Sequence, residues 1–244
     1  MGTFFASIAL VFCLNICGCT SLNASTHIVL IGSPGSGKGT FSNFMTKHEN
    51  FEHISPGDLL RKEVKAHTIL GVQIQERVKR GELIPNAIVW ELVHQKLVRI
   101  INEKKAFILD GFPISEENFH SFYGFMNEYA QEQFIFLHLH APDFLCVQRI
   151  CARRLCIECG EVYNDVTCQP QCLNTCDRCK SPLSKRDDDT LEHATKRVAS
   201  SNKRMHAVIE CIKSHQLKNI EIDTNCSIEE CHQQYSNILQ NIVR

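Results

Sequence analysis

The feature that most constrains the fold is the glycine-rich segment GSPGSGKGT, which runs from Gly32 to Thr40. It follows the apolar run 28–31 and precedes a segment with helical character at 41–47. This strand–loop–helix context is the one that a phosphate-binding P-loop, G-x-x-x-x-G-K-[ST], requires. Glycines let successive backbone N–H groups wrap a polyphosphate, and the helix N-terminus adds partial positive charge. A glycine-rich turn without function is the alternative, but both glycines and the lysine of the pattern are in place.

Side chains in and near this loop are predicted to act on the phosphates. Lys38 would supply a mobile cation to the β- and γ-phosphates, and the Thr40 hydroxyl would face Mg²⁺. Gly39 occupies the position where the general pattern has its hydroxyl residue, which is a small departure. Asp110 ends the apolar run 106–109 and is predicted to hold Mg²⁺ through water, as a Walker-B-type acid does. The alternative for Asp110 is a helix N-cap or a turn aspartate.

Alternating strand and helix patterns predict an α/β fold, a doubly wound parallel sheet of the P-loop NTPase type. In such a sheet the ligand lies at the carboxyl ends of the strands, where the P-loop and Asp110 fall. The predicted strands are 28–31, 51–54, 106–110 and 134–139, and the predicted helices are 41–48, 59–80 with a break at Gly71, 87–102 and 144–155.

Composition and charge narrow the choice of partners. The chain has 244 residues, of which 43% are hydrophobic and 22% charged, so it can form one large domain or a core with small insertions. Its formal net charge is −1, and no global basic field therefore predicts nucleic-acid binding. An anion site has to be built from local clusters.

The amino end, residues 1–26, is a hydrophobic extension with three open interpretations. Its apolar run 3–22 is short for a membrane-spanning helix and close in length to a signal-peptide core. No Lys or Arg precedes Lys38, so the basic region of an export signal is missing. The segment is a membrane anchor, an export signal or the product of a start site assigned too early. Because the chemistry downstream needs ATP and reduced thiols, we expect a cytoplasmic protein with membrane contact only through this segment.

Arginines recur in the second half of the chain. Arg149 and Arg153 are four residues apart on the predicted helix 144–155 and would share a face. Arg186 opens the sequence RDDD, and Arg197 lies eleven residues later, about three helical turns along. The planar guanidinium suits phosphoryl oxygens, so this set is predicted to clamp a transferring phosphate. The alternative is a solvated helix face that pairs with the nearby carboxylates.

Six of the fourteen cysteines lie within the segment 156–179. Two C-x2-C pairs, sixteen residues apart, have the spacing of a zinc ribbon. The predicted structural zinc ligands are Cys156, Cys159, Cys176 and Cys179. Residues 156–185 contain too few large apolar side chains for a core of their own, and a metal would supply the folding energy. Cys168 and Cys172 complicate this prediction, since they could compete as ligands or form a disulfide.

From about residue 27 to residue 244 the chain resembles adenylate kinase, in the long-lid bacterial form whose lid can hold zinc. The Gly39-Thr40 ending of the P-loop is the form that this family uses. The other matching segments are 57–61 (GDLLR), 81–85 (GELIP), 107–113 (FILDGFP), 149–154 (RICARR), 159–163 (CGEVY), 186–189 (RDDD) and 196–197 (KR). Their order and spacing match the family through nearly the whole chain after residue 26.

The resemblance implies a monomeric kinase that transfers the terminal phosphate of ATP to AMP with Mg²⁺ and gives two ADP. It divides the chain into a P-loop core (27–54, 85–151 and 190–244), a nucleoside-monophosphate-binding domain (55–84) and a mobile lid (152–189). Lid closure would exclude water from the transfer. The implied ATP-binding residues are Gly35, Ser36, Gly37, Lys38, Gly39, Thr40, Arg153, Val162 and Tyr163, the last two beside the adenine. The implied catalytic residues are Lys38, Arg149, Arg153, Arg186 and Arg197.

The acceptor side departs from the family pattern. Ile114 stands where the family has an arginine that grips the α-phosphate of AMP, Pro56 replaces a threonine, and Asn118 replaces the glutamine that reads adenine. A lost hydrogen bond to a charged group costs about 1.5–3 kcal/mol, or one to two orders of magnitude in affinity or rate. The implied AMP-binding residues are Pro56, Arg61, Glu82, Leu83, Ile84, Gly111, Phe112, Pro113, Ile114, Asn118, Arg186 and Arg197.

These departures leave alternatives to an adenylate kinase. One is a kinase with a different nucleoside monophosphate as acceptor, since all three changes would line that pocket. Another is a nucleotide-binding regulator that turns over weakly or not at all. A zinc ribbon that binds nucleic acid is disfavoured, because Asp and Glu offset the basic residues there and Tyr163 is the only aromatic platform in that segment.

Overall fold

The computed structural model describes residues 26–48, 50–79, 84–129 and 131–242. Within these residues the elements are, in order, β1 (Thr26–Ile31), α1 (Lys38–His48), β2 (Phe51–Ile54), α2 (Pro56–Lys65), α3 (Ile69–Lys79), α4 (Asn86–Asn102), β3 (Ala106–Asp110), α5 (Glu116–Glu128), β4 (Gln133–His140), α6 (Asp143–Cys151), β5 (Arg153–Cys156), β6 (Val162–Asn164), β7 (Leu183–Ser184), α7 (Leu191–Ser214), β8 (Asn219–Asp223) and α8 (Ile228–Ile242).

A five-stranded parallel sheet in the order β2-β3-β1-β4-β8 forms the centre of the molecule. Its β1 strand is buried on both faces, which explains the uninterrupted apolar run in the sequence. Val29 and Ile31 pack toward α4, α5 and α7, whereas Ile28 and Leu30 pack toward α1 and α8. This arrangement confirms the predicted α/β class and parallel sheet. The edge strand β8 was not predicted from the sequence.

The predicted helix 144–155 is wrong at its carboxyl end. Helix α6 ends at Cys151, and Arg153 already belongs to the strand β5. Strand β5 pairs antiparallel with β6 and β7 in a small sheet, so long-range pairing overrides the local helical pattern. Arg149 and Arg153 therefore do not share a helix face. The supposed helical spacing from Arg186 to Arg197 fails as well, because α7 begins only at Leu191, after the N-cap Thr190.

Gly71 does not break the helical segment 59–80 as predicted. The break lies at residues 66–68, and Gly71 is in the first turn of α3, where its N–H donates to Thr68 Oγ1 at 2.9 Å. A Cβ atom on Gly71 would lie 2.0 Å from the backbone oxygen of Glu63. The glycine is thus required because α2 and α3 approach each other closely, rather than because the helix ends there.

Two further features of the chain bear on its cysteines and on its amino end. Cys226 and Cys231 form a disulfide between the loop after β8 and the first turn of α8, a pairing that the sequence analysis did not predict. Among the described residues, the helices are all too short or too polar to cross a membrane. Residues 1–25 lie outside the described part, so the three interpretations of this segment stay predictions.

Candidate functional site

The P-loop occupies the turn between β1 and α1, at the carboxyl edge of the central sheet. Gly32 and Gly35 have positive φ angles of 139° and 82°. A Cβ atom on Gly32 would lie 2.2 Å from the backbone oxygen of Leu139, and one on Gly35 would lie 2.3 Å from that of Cys146. Both positions therefore require glycine, for backbone conformation and for space. The loop is held tightly against β4 and α6.

Lys38 begins α1, and its ammonium group lies over this loop. Lys38 Nζ donates hydrogen bonds to the backbone oxygens of Gly32 and Ser33, both at 2.9 Å. Burial lowers the pKa of Lys38, while the nearby Asp110 carboxylate acts in the opposite direction. The ammonium is thus held beside the concave face of the loop, where a bound polyphosphate could replace the two carbonyl groups as its partner.

Asp110 ends β3, directly beside β1 in the sheet, with Leu30 as its register partner. Its Oδ2 atom lies 3.3 Å from Nε2 of His53 on β2. The N-cap of the following helix α5 is Ser115, so the alternative interpretation of Asp110 as a helix cap is wrong. Although burial lowers the pKa of Lys38, Asp110 is close enough to the lysine to act on that pKa in the opposite direction. The predicted magnesium–phosphate arrangement requires these two side chains to be near each other. Thr40 is exposed in the first turn of α1.

Thr224, after β8, connects the P-loop to α6, and sequence reasoning did not find it. Its Oγ1 atom lies 3.0 Å from the backbone oxygens of both Ser36 and His140. Arg149 Nη2 donates to the Thr224 backbone oxygen at 2.7 Å. Arg149 is therefore hydrogen-bonded to Thr224, which in turn contacts the P-loop. No motif marks Thr224, because its role depends on a contact between residues 188 positions apart in the chain.

Asn202 is a second support that the sequence analysis missed. It lies on α7, and its Oδ1 atom accepts a hydrogen bond from Ser33 in the P-loop. Its Nδ2 atom donates to Asp143 Oδ1 at 2.7 Å, in the first turn of α6. The loop is thereby fixed to two helices as well as to the sheet.

Two of the remaining predicted arginines, Arg153 and Arg197, lie near Lys38 of the P-loop. Arg153 donates to Asp189 from two nitrogens, at 2.8 Å and 2.6 Å. Arg197 Nη1 donates to Asp188 Oδ2 at 2.7 Å. The pairing with carboxylates that the sequence analysis held as the alternative is therefore present for these two arginines. The same two arginines also lie near other positively charged side chains.

Arg186 shows how close the positive charges are. Burial, together with the neighbouring guanidinium groups of Arg153 and Arg61, lowers the pKa of Arg186 to about 10. Its Nε atom is buried and has no hydrogen-bond partner among the described residues. Arg61 lies on α2, where it hydrogen-bonds Asp58. A half-buried cationic group with an unpaired donor is suited to an anionic ligand.

Most of the predicted acceptor residues lie on two segments, the first turn of α2 and the connection from β3 into the first turn of α5. Pro56 is at the first turn of α2, and Gly111, Phe112 and Pro113 connect β3 to α5. Ile114 is 37% exposed. Asn118 is buried, and its Oδ1 atom has no partner among the described residues. Ile84 packs against the main core, whereas Glu82 and Leu83 fall outside the described residues.

The structure brings the four predicted zinc ligands together within residues 152–189, the predicted lid. The sulfur atoms of Cys156, Cys159, Cys176 and Cys179 all lie within 4.8 Å of one another. The Cys156–Cys179 and Cys159–Cys176 sulfur pairs are 3.3 Å and 3.5 Å apart. Tetrahedral zinc with Zn–S bonds of about 2.3 Å needs sulfur separations of about 3.8 Å, so the four thiols fit this ion. Cys168 and Cys172 are exposed and lie outside the cluster.

The two C-x2-C pairs have the same local backbone geometry. Gly160 N–H donates to Cys156 O at 3.0 Å, and Lys180 N–H donates to Cys176 O at 2.9 Å. The N–H of Cys156 donates to Glu161 O and that of Cys176 to Ser181 O, both at 2.9 Å. Burial opposes ionisation of Cys176, but hydrogen bonds from the backbone of Cys179, from Tyr163 and from other groups outweigh it and lower the pKa to about 6. These paired turns aim four sulfurs at one point.

Tyr163 and Val162, predicted to border adenine, lie on the lid strand β6. The Tyr163 ring is buried against Cys156 and Cys176, and its hydroxyl accepts the N–H of Asp177 at 2.7 Å. The side chain thus forms part of the lid's own core, and Val162 is the more exposed of the two. Their contact with a nucleotide stays a prediction.

Comparison with known proteins agrees with this geometry. Residues 30–217 match the family model described as adenylate kinase. A protein named adenylate kinase from Kosmotoga olearia is 33% identical over 216 residues, which cover 88% of this chain and 100% of that protein. Proteins of the same name from Pyrococcus abyssi and Thermosipho melanesiensis are 31% and 30% identical, over 88% of this chain and 96% and 99% of their own lengths.

Proposed function

Because this chain belongs to the adenylate kinase family, we propose that it transfers the terminal phosphate of ATP to AMP and that its lid is held by zinc. It is a nucleoside monophosphate kinase, a phosphotransferase. The observation that carries the proposal is the clustering of Arg61, Arg153 and Arg186, of which Arg153 also lies near Lys38 of the P-loop. Such a set of cations is suited to a reaction in which negative charge spreads over a transferring phosphoryl group.

In this proposal the P-loop residues 35–40 bind the phosphates of ATP through their N–H groups, and Lys38 turns from the loop carbonyls to the β- and γ-phosphates. Asp110 and Thr40 supply the oxygen donors that Mg²⁺, bound with ATP, prefers. An oxygen of the AMP phosphate attacks the γ-phosphorus, and the bond from that phosphorus to the bridging oxygen breaks. ADP then leaves on each side. The side chains position and stabilise charge, and none of them forms a covalent bond.

The arginines divide between donor and acceptor. Arg153 lies in the lid next to the P-loop and would bind ATP, while Arg149 would act from its position behind the loop. Arg61 on α2 and the half-buried Arg186 would bind the acceptor phosphate, with Arg197 between the two nucleotides. Closure of lid residues 152–189 over the site would exclude water and so favour transfer to the nucleotide over hydrolysis.

The acceptor nucleotide has two candidates, AMP and another nucleoside monophosphate. Ile114 offers a partly exposed apolar surface where the family has a phosphate-binding arginine. The unpartnered Oδ1 atom of Asn118 supports a nucleobase contact, because buried oxygen atoms are normally hydrogen-bonded. AMP is the acceptor that the family implies. Another nucleoside monophosphate is the second candidate, because the altered residues all belong to this pocket.

A substrate panel tests the proposal. Purified full-length protein is mixed with ATP, Mg²⁺ and AMP, GMP, CMP or UMP, and ADP formation is followed by a coupled assay. We expect ADP formation that depends on AMP, and a mock preparation from cells without the protein measures the host background. Faster turnover with another acceptor would support the second candidate. ATP binding without transfer to any acceptor would contradict kinase activity and indicate a nucleotide-binding regulator.

The zinc of the lid is tested by metal analysis of the same preparation. The paired turns and the sulfur separations support one structural ion, closed to catalysis because all four positions are protein thiolates. We expect zinc to copurify with the chain. A metal-free protein with full activity would contradict the structural role of zinc. The cytoplasmic location rests on the need for ATP and reduced thiols, the monomeric state rests on the family resemblance, and both stay predictions.

A further inference from the structure

Two packed helices carry metal-binding side chains far along the chain from the lid cysteines. Glu116 and His120 are four residues apart on α5, and Cys211 and His215 are four residues apart at the end of α7. Residues with this spacing lie on one face of a helix. The two faces meet, since the His215 ring lies 4.4 Å from the ring of Tyr123 on α5.

The donor atoms of three of these residues already converge. One carboxylate oxygen of Glu116, one ring nitrogen of His120 and the Cys211 sulfur all lie within 4.8 Å of one another. Glu116 Oε1 is 3.7 Å from His120 Nε2. Around a tetrahedral zinc ion, ligand atoms are about 3.3–3.8 Å apart, so small side-chain rotations would complete the geometry. Glu116 and His120 are exposed and Cys211 is half-buried, which leaves the position open to an ion from solvent.

His215 lies beside these three residues as a candidate fourth donor, although it is not one of the donors that already converge within 4.8 Å. Its Nδ1 atom lies 2.8 Å from the backbone oxygen of Cys211. Because a carbonyl oxygen can only accept a hydrogen bond, this contact places the proton on Nδ1 and leaves a lone pair on Nε2. Metal-binding histidines commonly donate their other nitrogen to a backbone carbonyl in this way. The rings of His120 and His215 are 6.3 Å apart.

We propose that Glu116, His120, Cys211 and His215 form a second zinc site, which joins α5 to the carboxyl end of α7. The mixed set of thiolate, imidazole and carboxylate selects a borderline ion such as Zn²⁺ over Mg²⁺, which prefers oxygen ligands alone. The site is independent of the lid cluster, with which it shares no residue.

Zinc content per chain tests this site directly. The full-length protein is loaded with Zn²⁺, dialysed against a weak chelator and analysed for bound metal. With both sites filled we expect about two ions per chain, one of them in the lid. Cys211→Ser and His120→Ala should each remove one ion, and Cys156→Ser should remove the other. Cys151→Ser is the matched control, because Cys151 is a partly buried free thiol outside both clusters, and it should keep both ions.

The outcomes separate the two sites. Loss of one ion in Cys211→Ser and in His120→Ala, with retention in Cys151→Ser, supports the α5–α7 site whether or not the lid is filled. If both variants bind as much zinc as the unchanged protein, the site does not exist. His120 is exposed, so a fold defect in His120→Ala is not expected, and circular dichroism of each variant checks this.

Discussion

Arg153 and Asp189 form a two-point ion pair that joins the two ends of residues 152–189, the predicted lid. Arg153 Nε lies 2.8 Å from Asp189 Oδ2 and Nη2 lies 2.6 Å from Oδ1, and Asp189 is fully buried. Arg153 opens β5, where the chain enters the lid, and Asp189 precedes α7, where the chain has returned. The pair therefore fixes the guanidinium that we propose for ATP binding.

Asp189→Asn should weaken this connection between Arg153 and residue 189. The substitution leaves the part-buried charge of Arg153 without its carboxylate partner. Because solvent still reaches the Arg153 side chain, we expect a loss of about 2 kcal/mol in unfolding free energy. The Michaelis constant for ATP should rise because Arg153 is no longer held. Urea unfolding and steady-state kinetics measure both. Asp187→Asn is the control, because Asp187 is exposed and the ion pairs described in this segment use Asp188 and Asp189. Unchanged values for Asp189→Asn would show that the pair is dispensable.

Ile114→Arg should restore the missing contact on the acceptor side. A guanidinium at this partly exposed position is expected to lower the apparent Michaelis constant for AMP by about one to two orders of magnitude. The constant for ATP should stay the same. Ile114→Gln, long and polar but uncharged, is the matched control. If the arginine variant binds AMP no better than the control, another residue already supplies that contact.

Cys156→Ser should empty the lid site. With a ligand lost from a closed four-thiolate site, we expect a lower zinc content and a lower melting temperature, since the metal supplies folding energy to a segment with a small core. Cys172→Ser, an exposed cysteine outside the cluster, should change neither quantity. Equal zinc content in the two variants would rule out this ligand set.

His27 should make stability depend on pH. Burial lowers the pKa of His27 to about 4, from 6.5 for the exposed group, even though the Glu132 carboxylate lies 3.4 Å away. Between pH 6.5 and 4 the unfolded chain binds the proton and the folded chain does not, so the unfolding free energy decreases as the pH falls. The full effect is about 3 kcal/mol.

The variant His27→Asn measures this contribution, because the amide oxygen can still accept the N–H of Phe107. It is expected to be less stable than the unchanged protein at pH 7, but to lose less stability between pH 6.5 and 4. Urea unfolding at several pH values gives both curves. Parallel curves would show that His27 does not titrate as its burial implies.

The parts of the site that can be predicted from the sequence are those that depend on residues close together in the chain. The P-loop glycines, Lys38 and the cysteine pairs lie in short segments whose backbone geometry or spacing requires those residues, so their patterns are visible in the chain itself. The apolar run in β1 likewise predicts a strand buried on both faces, and the parallel sheet follows from it.

The parts that the sequence did not predict depend on distant contacts. Residues 152–155 continue a helical pattern, yet Arg153 joins a strand because β6 and β7 pair with it. Thr224 and Asn202 act on the P-loop from β8 and α7, and nothing in their own segments marks them. Gly71 has the appearance of a helix breaker, whereas it serves the contact with Glu63.

The most direct test of the central claim compares the unchanged protein with Lys38→Ala in AMP-dependent ADP formation from ATP. Lys38 is the cation that the structure holds over the P-loop, and its loss should lower the transfer rate by about 10²–10³-fold. Circular dichroism should remain unchanged, and Lys203→Ala, an exposed lysine on α7, should retain full activity. Transfer by Lys38→Ala at the rate of the unchanged protein would contradict the assignment of this loop as the ATP site.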